Sequence, residues 1–279
     1  MHIRSLRRAS SSVMVLLTGF AVLLALLPLL LILFTLVLKG ASSLSWEFFT
    51  ALPAPAGEAG GGVANAIVGT LLIVGVASLI GLPTGILAGI YCAEYSSSRL
   101  AWTARFVADV LNGTPSIVIG VFAWAWIVAT QQHFSALAGS VALAMLMIPM
   151  VLRTTEEMIR LVPNSLREAA LALGYPRWRT SLMIVLRTAL PGIVTGGLLA
   201  VARIAGETAP LLFTALGSQY LVTSINEPMA ALPLTVFTYA TGPFEQWHDY
   251  AWAAALVLIL LVLLLSLGSH VAMGRTRRG

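Results

Sequence analysis

Residues 13–38 read VMVLLTGFAVLLALLPLLLILFTLVL, an uncharged run longer than the roughly 20 apolar residues a helix needs to cross a bilayer. It is also too long for the apolar region of a cleavable signal, so it reads as a retained first span, with Arg4, Arg7 and Arg8 before it. Five more apolar runs follow at 63–93, 106–130, 135–152, 189–212 and 250–273. Six helical crossings place both ends of the chain on one side. The expected class is an all-α polytopic membrane protein. With 58% hydrophobic and 10% charged residues and a mean hydropathy of +0.92, the composition excludes a soluble globular domain.

The charges orient these spans. Arginines precede the first run, Arg99 and Arg105 follow the second, six lie from Arg153 to Arg187 after the fourth, and Arg275, Arg277 and Arg278 close the chain. These are fourteen of the sixteen cations, whereas residues 213–249 hold none and the first outer loop holds Lys39 alone. Cytoplasmic loops collect Lys and Arg, so both termini are expected in the cytoplasm. The pI near 9.9 then reflects membrane topology, and no nucleic-acid partner is expected. The organisation is residues 1–62 as amino end, first span and outer linker, 63–273 as the transmembrane domain with a cytoplasmic loop at 153–187, and 274–279 as a cytoplasmic tail. The piece ALPAPAGEAGGG at 51–62 reads as linker, and MAALPLTVFTYA at 229–240, apolar but too short to cross, reads as interfacial or re-entrant.

Independent chemistry is absent from the pattern. Cys92 is the single cysteine, and His2, His133, His248 and His270 are scattered, so no metal site is expected. No nucleophile stands at workable spacing from a base, so no catalytic residues are assigned. A phosphate-binding loop needs Gly-Lys followed by Ser or Thr, but Lys39 is the only lysine and glycine follows it. The chain is therefore read as a non-enzyme without a cofactor of its own.

In the loop, SLREAALALGYPRW spans 165–178. Ser165 and Glu168 have the spacing of a capping box, Gly174 supplies a left-handed helix end, and Pro176 prevents continuation. Thr154 and Glu157 have the same spacing and are expected to start an earlier short helix that stops at Pro163. The small residues Ala169 and Ala170 suit either an interfacial connector or a helix that enters a partner's cleft.

In the fifth run, ARIAGETAPLLF at 202–213 places Arg203 and Glu207 four residues apart. On a helix they share a face and are expected to pair, since an arginine at mid-depth costs about 2.5–3.5 kcal/mol even on insertion scales. The pair must face protein or water. It serves either to fix span packing or to place positive charge on an anion's path. Glu207 is then either a latch for Arg203 or an acceptor of a proton carried by that anion. Gly192 and Gly196 form a small-residue face, Gly206 offers close approach, and Pro210 is expected to kink the outer end. Arg153, near the inner mouth, is an anchor or a receiver of the departing anion.

EAALALG, followed after nine residues by IVL at 184–186, resembles the EAA loop of ABC-importer permeases, with Arg187 where that pattern has proline. NGTPSIVIG from Asn112, LMIPMVLRTTEEMIRLVP from Leu146 and LPGIVTGGLLAVARIAGETAPLLF from Leu190 resemble the PstA family of phosphate-importer permeases. The resemblance covers about residues 62–273. It implies the MetI-like type I importer fold in a bacterial inner membrane, and half of a pathway for inorganic phosphate. It implies as partners a PstC-type second permease, two PstB-type ATPase subunits that bind the ATP, and a periplasmic PstS-type binding protein. Arg203, Glu207, Thr208 and Arg153 would lie on the substrate pathway, while Ser165, Glu168, Ala169, Ala170 and Gly174 would couple to the ATPase. A permease for another oxyanion or an ion-coupled transporter is the alternative, although no internal repeat favours the latter.

Overall fold

The computed structural model describes residues 2–55, 58 and 60–276. Residues 277–279 of the expected tail, with Arg277 and Arg278, lie outside the described residues, as do the side chains of Arg4, Arg7, Arg8 and Arg275. Among the described residues there is no strand, only an isolated bridge between Pro53 and Gly61. The helices are α1 (His2–Ser42), α2 (Trp46–Thr50), α3 (Ala64–Glu94), α4 (Arg99–Gly113), α5 (Ser116–Gln131), α6 (Ala136–Arg160), α7 (Asn164–Ala172), α8 (Arg177–Ala205), α9 (Ala209–Thr214), α10 (Leu232–Ala240) and α11 (Glu245–Thr276). Wide π turns interrupt α5 at Trp124–Val128 and α8 at Ser181–Val185.

Among the described residues, five helices, α1, α3, α6, α8 and α11, are long and apolar enough to cross a membrane. The sixth expected span is not one rod: α4 and α5 meet at 106°. The cause is local. Pro115 has no N–H to donate and crowds the residue before it, and Thr114 takes the extended conformation at φ −82°, ψ 131°.

Two other boundaries differ from the expectation. α6 begins where Ser135 caps the Ala138 amide but continues past Leu152 to Arg160. Thr154 lies inside it, its hydroxyl donating to the Met150 carbonyl at 2.9 Å, so no separate helix starts there. α8 begins at Arg177 rather than near 189 and runs through Pro191 to Ala205. Hydropathy marks what lipid can touch, whereas a helix persists wherever charged residues find partners at its ends.

The core forms around α6. Gly81, Gly85 and Gly89 on α3 recur every fourth residue and face Met147, Val151 and Thr155. A Cβ at Gly85 would stand 2.7 Å from Val151 Cβ and 3.0 Å from the Ile148 carbonyl. Without hydrophobic drive inside lipid, such close backbone approach is what holds spans together. Gly192 and Gly196 on α8 lie against Met158 and Thr154 of the same α6, as the small-residue face implied. Among its described side chains, α1 is buried at Leu36 and Gly40 alone, where it touches Trp252 and Leu256 of α11.

At the opposite end from α7, the described residues of the expected linker, 51–55 and 60–62, are folded back on α2 and the start of α3 rather than loose. Gly62 N donates to Leu52 O at 3.0 Å and Val63 N to Phe48 O at 2.8 Å, over the fully buried Phe48. The segment 229–240 inserts its first half into the bundle. Met229 to Leu234 are buried, and Leu232 N donates to Thr70 Oγ1 at 2.8 Å. The nine-residue α10 is too short to cross.

Candidate functional site

The chain breaks its helices at two places inside the bundle, and both breaks line one cavity. The first is the Thr114–Pro115 bend; the second is Gly206 to Thr208, between the end of α8 at Ala205 and the start of α9 at Ala209. Their common cavity, about 320 Å³, is walled by Asn112, Thr114, Ser116, Arg203 and Glu207, with Leu146 and Met150 of α6 behind them. Irregular backbone at membrane depth survives only where it is buried in protein or lines a water-filled space, because its free amides and carbonyls must be satisfied. α5 starts at Ser116, so its first amides and positive dipole end open toward this cavity.

The expected pairing of Arg203 with Glu207 is not formed. Gly206 caps α8, with its amide on the Arg203 carbonyl at 3.2 Å, and Glu207 lies beyond the helix end. The two residues therefore do not share a helical face. Neither side chain makes a hydrogen bond or ion pair among the described residues. Arg203 is exposed to the cavity and Glu207 half-buried at its wall. Gly206 offers no tight approach either, its nearest neighbour for a Cβ being the Arg203 carbonyl at 3.7 Å. Pro210 does not kink α8; it sits in the first turn of α9 and packs against Gly120 of α5. Thr208 is the residue before α9 and is not in the cavity wall.

Arg153 lies one turn beyond Met150 on α6, outside that wall, in a network the sequence pattern missed. Glu156, only 2% exposed, accepts from Arg105 Nε at 2.7 Å, Arg160 Nη2 at 2.6 Å and Arg153 Nη1 at 3.4 Å. Arg153 also grips Asp109 of α4 through Nε and Nη2. Arg105 additionally donates to the Cys92 and Ser96 carbonyls, at 2.6 and 3.0 Å, at the end of α3. The signal was present as Arg105 and Asp109 four apart on α4 opposite Arg153 and Glu156 three apart on α6, but their pairing is long-range.

α7 is the helix expected in the loop, with a different start. Its N-cap is Pro163 without a side-chain cap, and Ser165 is already inside the first turn, so the capping box with Glu168 is not formed. Proline's fixed backbone sets the turn instead. The end is as expected: Gly174 stands at φ +84°, its amide on Leu171 O at 2.9 Å and the Tyr175 amide on Ala170 O at 3.2 Å, a Schellman closure. Ser165, Glu168, Ala169 and Gly174 are exposed, whereas Ala170 is buried. Leu166, Leu171, Leu173 and Trp178 extend the exposed side as an apolar patch, with Leu173 78% accessible.

Comparison with known proteins identifies the assembly of these parts. Residues 85–278 match the family described as binding-protein-dependent transport system inner membrane component. A phosphate transport system permease protein PstA from Yersinia pestis is 48% identical over 97% of this chain and 92% of its own length, and one from Haemophilus influenzae is 49% identical over 94% and 93%. PstA 1 from Mycobacterium tuberculosis is 39% identical over 90% of this chain. Among solved structures, an inward-facing MetNI methionine ABC transporter superposes with a TM-score of 0.60 at 19% identity, over 76% of this chain and 93% of that one. An amino acid ABC transporter solved with histidines gives 0.59 at 17% identity, over 76% of this chain and 92% of that one. The fold is that of ABC importer permeases, and the chain belongs to the binding-protein-dependent transport system inner membrane components, in the branch of the PstA phosphate transport permeases.

Proposed function

We propose that this chain forms half of the translocation pathway of an ATP-driven phosphate importer, and that phosphate passes through the cavity between the two helix breaks. The observation that carries the reading is Arg203, a cation facing that cavity at span depth with no carboxylate bound to it. An unpaired guanidinium there is costly, and a tetrahedral oxyanion offers it a bidentate partner. The amides that open α5 at Ser116 add donors on the opposite wall.

Glu207 sets which oxyanion is accepted. A carboxylate repels a fully ionised anion, but it accepts a hydrogen bond from the P–OH of monohydrogen or dihydrogen phosphate. Sulfate has no such proton, so the same group that welcomes phosphate rejects sulfate. Separation of Glu207 from Arg203 supports this role over that of a latch. Arg153 and Thr208 flank the path rather than wall it: Arg153 is the next cation toward α7, held by Asp109 until an anion competes for it.

Energy is supplied by partner ATPase subunits, which receive α7 through its exposed Leu166, Glu168, Ala169 and Leu173 face. A second permease closes the exposed side of the Arg203 cavity, and an outer binding protein delivers phosphate. Both termini and α7 are cytoplasmic in a bacterial inner membrane. The chain itself catalyses no reaction and needs no cofactor. Uptake of phosphate into vesicles holding the full complex tests the reading: dependence on internal ATP and on the ATPase subunit is expected, and uptake driven by an ion gradient alone would overturn it.

A further inference from the structure

Glu94, the last residue of α3, holds two donors with its two carboxylate oxygens. Arg167 Nη1 lies 2.6 Å from Oε1, and Ser181 Oγ lies 2.7 Å from Oε2. Arg167 belongs to α7, and Ser181 opens the π turn of α8. Arg167 also reaches the Ile159 carbonyl near the end of α6 at 3.5 Å. One carboxylate thus joins the loop helix, α3 and α8.

Among the described residues this is the one ion pair that α7 makes. Both partners are largely shielded, with 25% of the Arg167 side chain and 17% of the Glu94 side chain exposed. α7 is otherwise held by the buried Ala170, by packing against the start of α8 and by the short link from Leu173 to Pro176, contacts that are less directional than an ion pair. Charge-assisted hydrogen bonds are directional and roughly twice as strong as neutral ones. Ser181 is also well placed mechanically. A π turn carries one residue too many for the α ladder and marks a point where a helix shifts register, and α8 bears Arg203 near its other end.

We propose that Glu94 is the positioning residue through which displacement of α7 moves α8, linking ATP hydrolysis to the Arg203 cavity. This rests on the reading of α7 as the helix that docks on the ATPase. Neither Glu94 nor Arg167 touches phosphate or ATP, so their loss alters the transmission of work and leaves both chemistries in place.

The test uses the complete transporter reconstituted in proteoliposomes, with retained ATPase subunit, ATP hydrolysis and phosphate taken up per ATP measured together. Glu94→Gln and Arg167→Met are expected to keep the ATPase subunit and to hydrolyse ATP within about twofold of the parent, while phosphate per ATP falls roughly tenfold, the worth of one charged hydrogen bond. Ser181→Ala lowers the ratio less. The exchange Glu94→Arg with Arg167→Glu restores most of it. An unchanged ratio in Glu94→Gln and Arg167→Met overturns the proposal, as does a deficit that the exchange leaves in place. If Glu94→Gln fails to assemble, a parental ratio in both Ser181→Ala and Arg167→Met overturns it, because the link would then serve folding alone. Failure of the underlying reading is seen separately: Glu168→Lys that retains the ATPase subunit and normal coupling removes α7 as the docking helix, whatever Glu94 does.

Discussion

Arg105 Nε lies 2.7 Å from Oε1 of Glu156, pinning α4 to α6 through a carboxylate with 2% of its surface exposed. The contact sits below the 106° bend and fixes where the Asn112–Ser116 wall stands relative to Arg203. Removing the carboxylate leaves Arg105 without an acidic partner and Arg153 with Asp109 alone. Glu156→Ala is expected to cost about 3–5 kcal/mol, the loss typical of one partner of a buried pair. A lower melting temperature of the purified permease checks this. Arg160→Ala, on the half-exposed side of the same carboxylate, should cost less than about 1 kcal/mol.

Span packing has its own test on α3. Gly85 has no room for a side chain against Val151, whereas Gly75 has no heavy atom within 4 Å of a built Cβ. Gly85→Val is expected to cost about 1–3 kcal/mol or more and to reduce the yield of folded protein in the membrane. Gly75→Val, on the same helix, should leave the yield unchanged.

The proton-reading role of Glu207 predicts a change in selectivity rather than a simple loss. Glu207→Gln removes the charge that repels sulfate and offers an amide in its place. Sulfate should then compete with phosphate for uptake. Competition by labelled sulfate measures it, and discrimination equal to that of the parent would count against the role.

Much of this arrangement is readable from local pattern. The apolar runs locate the crossings, Gly174 ends α7 in the left-handed conformation, and Gly192 and Gly196 face α6 as their spacing implies. The Gly81, Gly85, Gly89 repeat carries the same spacing, but the uniformly apolar run around it gives no contrast that marks one face. The remainder depends on contacts distant in sequence or on backbone chemistry that outweighs hydropathy. Pro115 bends a run that looks continuous, Gly206 ends α8 before Glu207, and α6 continues to Arg160 because Glu156 finds Arg105 on α4, 51 residues away. Periodicity sees none of these, since each is decided by a single residue's backbone limits or by a partner from another helix.

In the proposed function Arg203 carries the anion through the cavity between the two breaks. ATP-driven phosphate uptake by proteoliposomes containing the complete transporter with Arg203→Gln, measured alongside binding of the ATPase subunit, tests this role. Loss of one partner of a desolvated charge contact costs about 2–5 kcal/mol, so uptake should fall at least about thirtyfold while the ATPase subunit stays bound. Uptake within about twofold of the parent would contradict the claim and return Arg203 to a packing role.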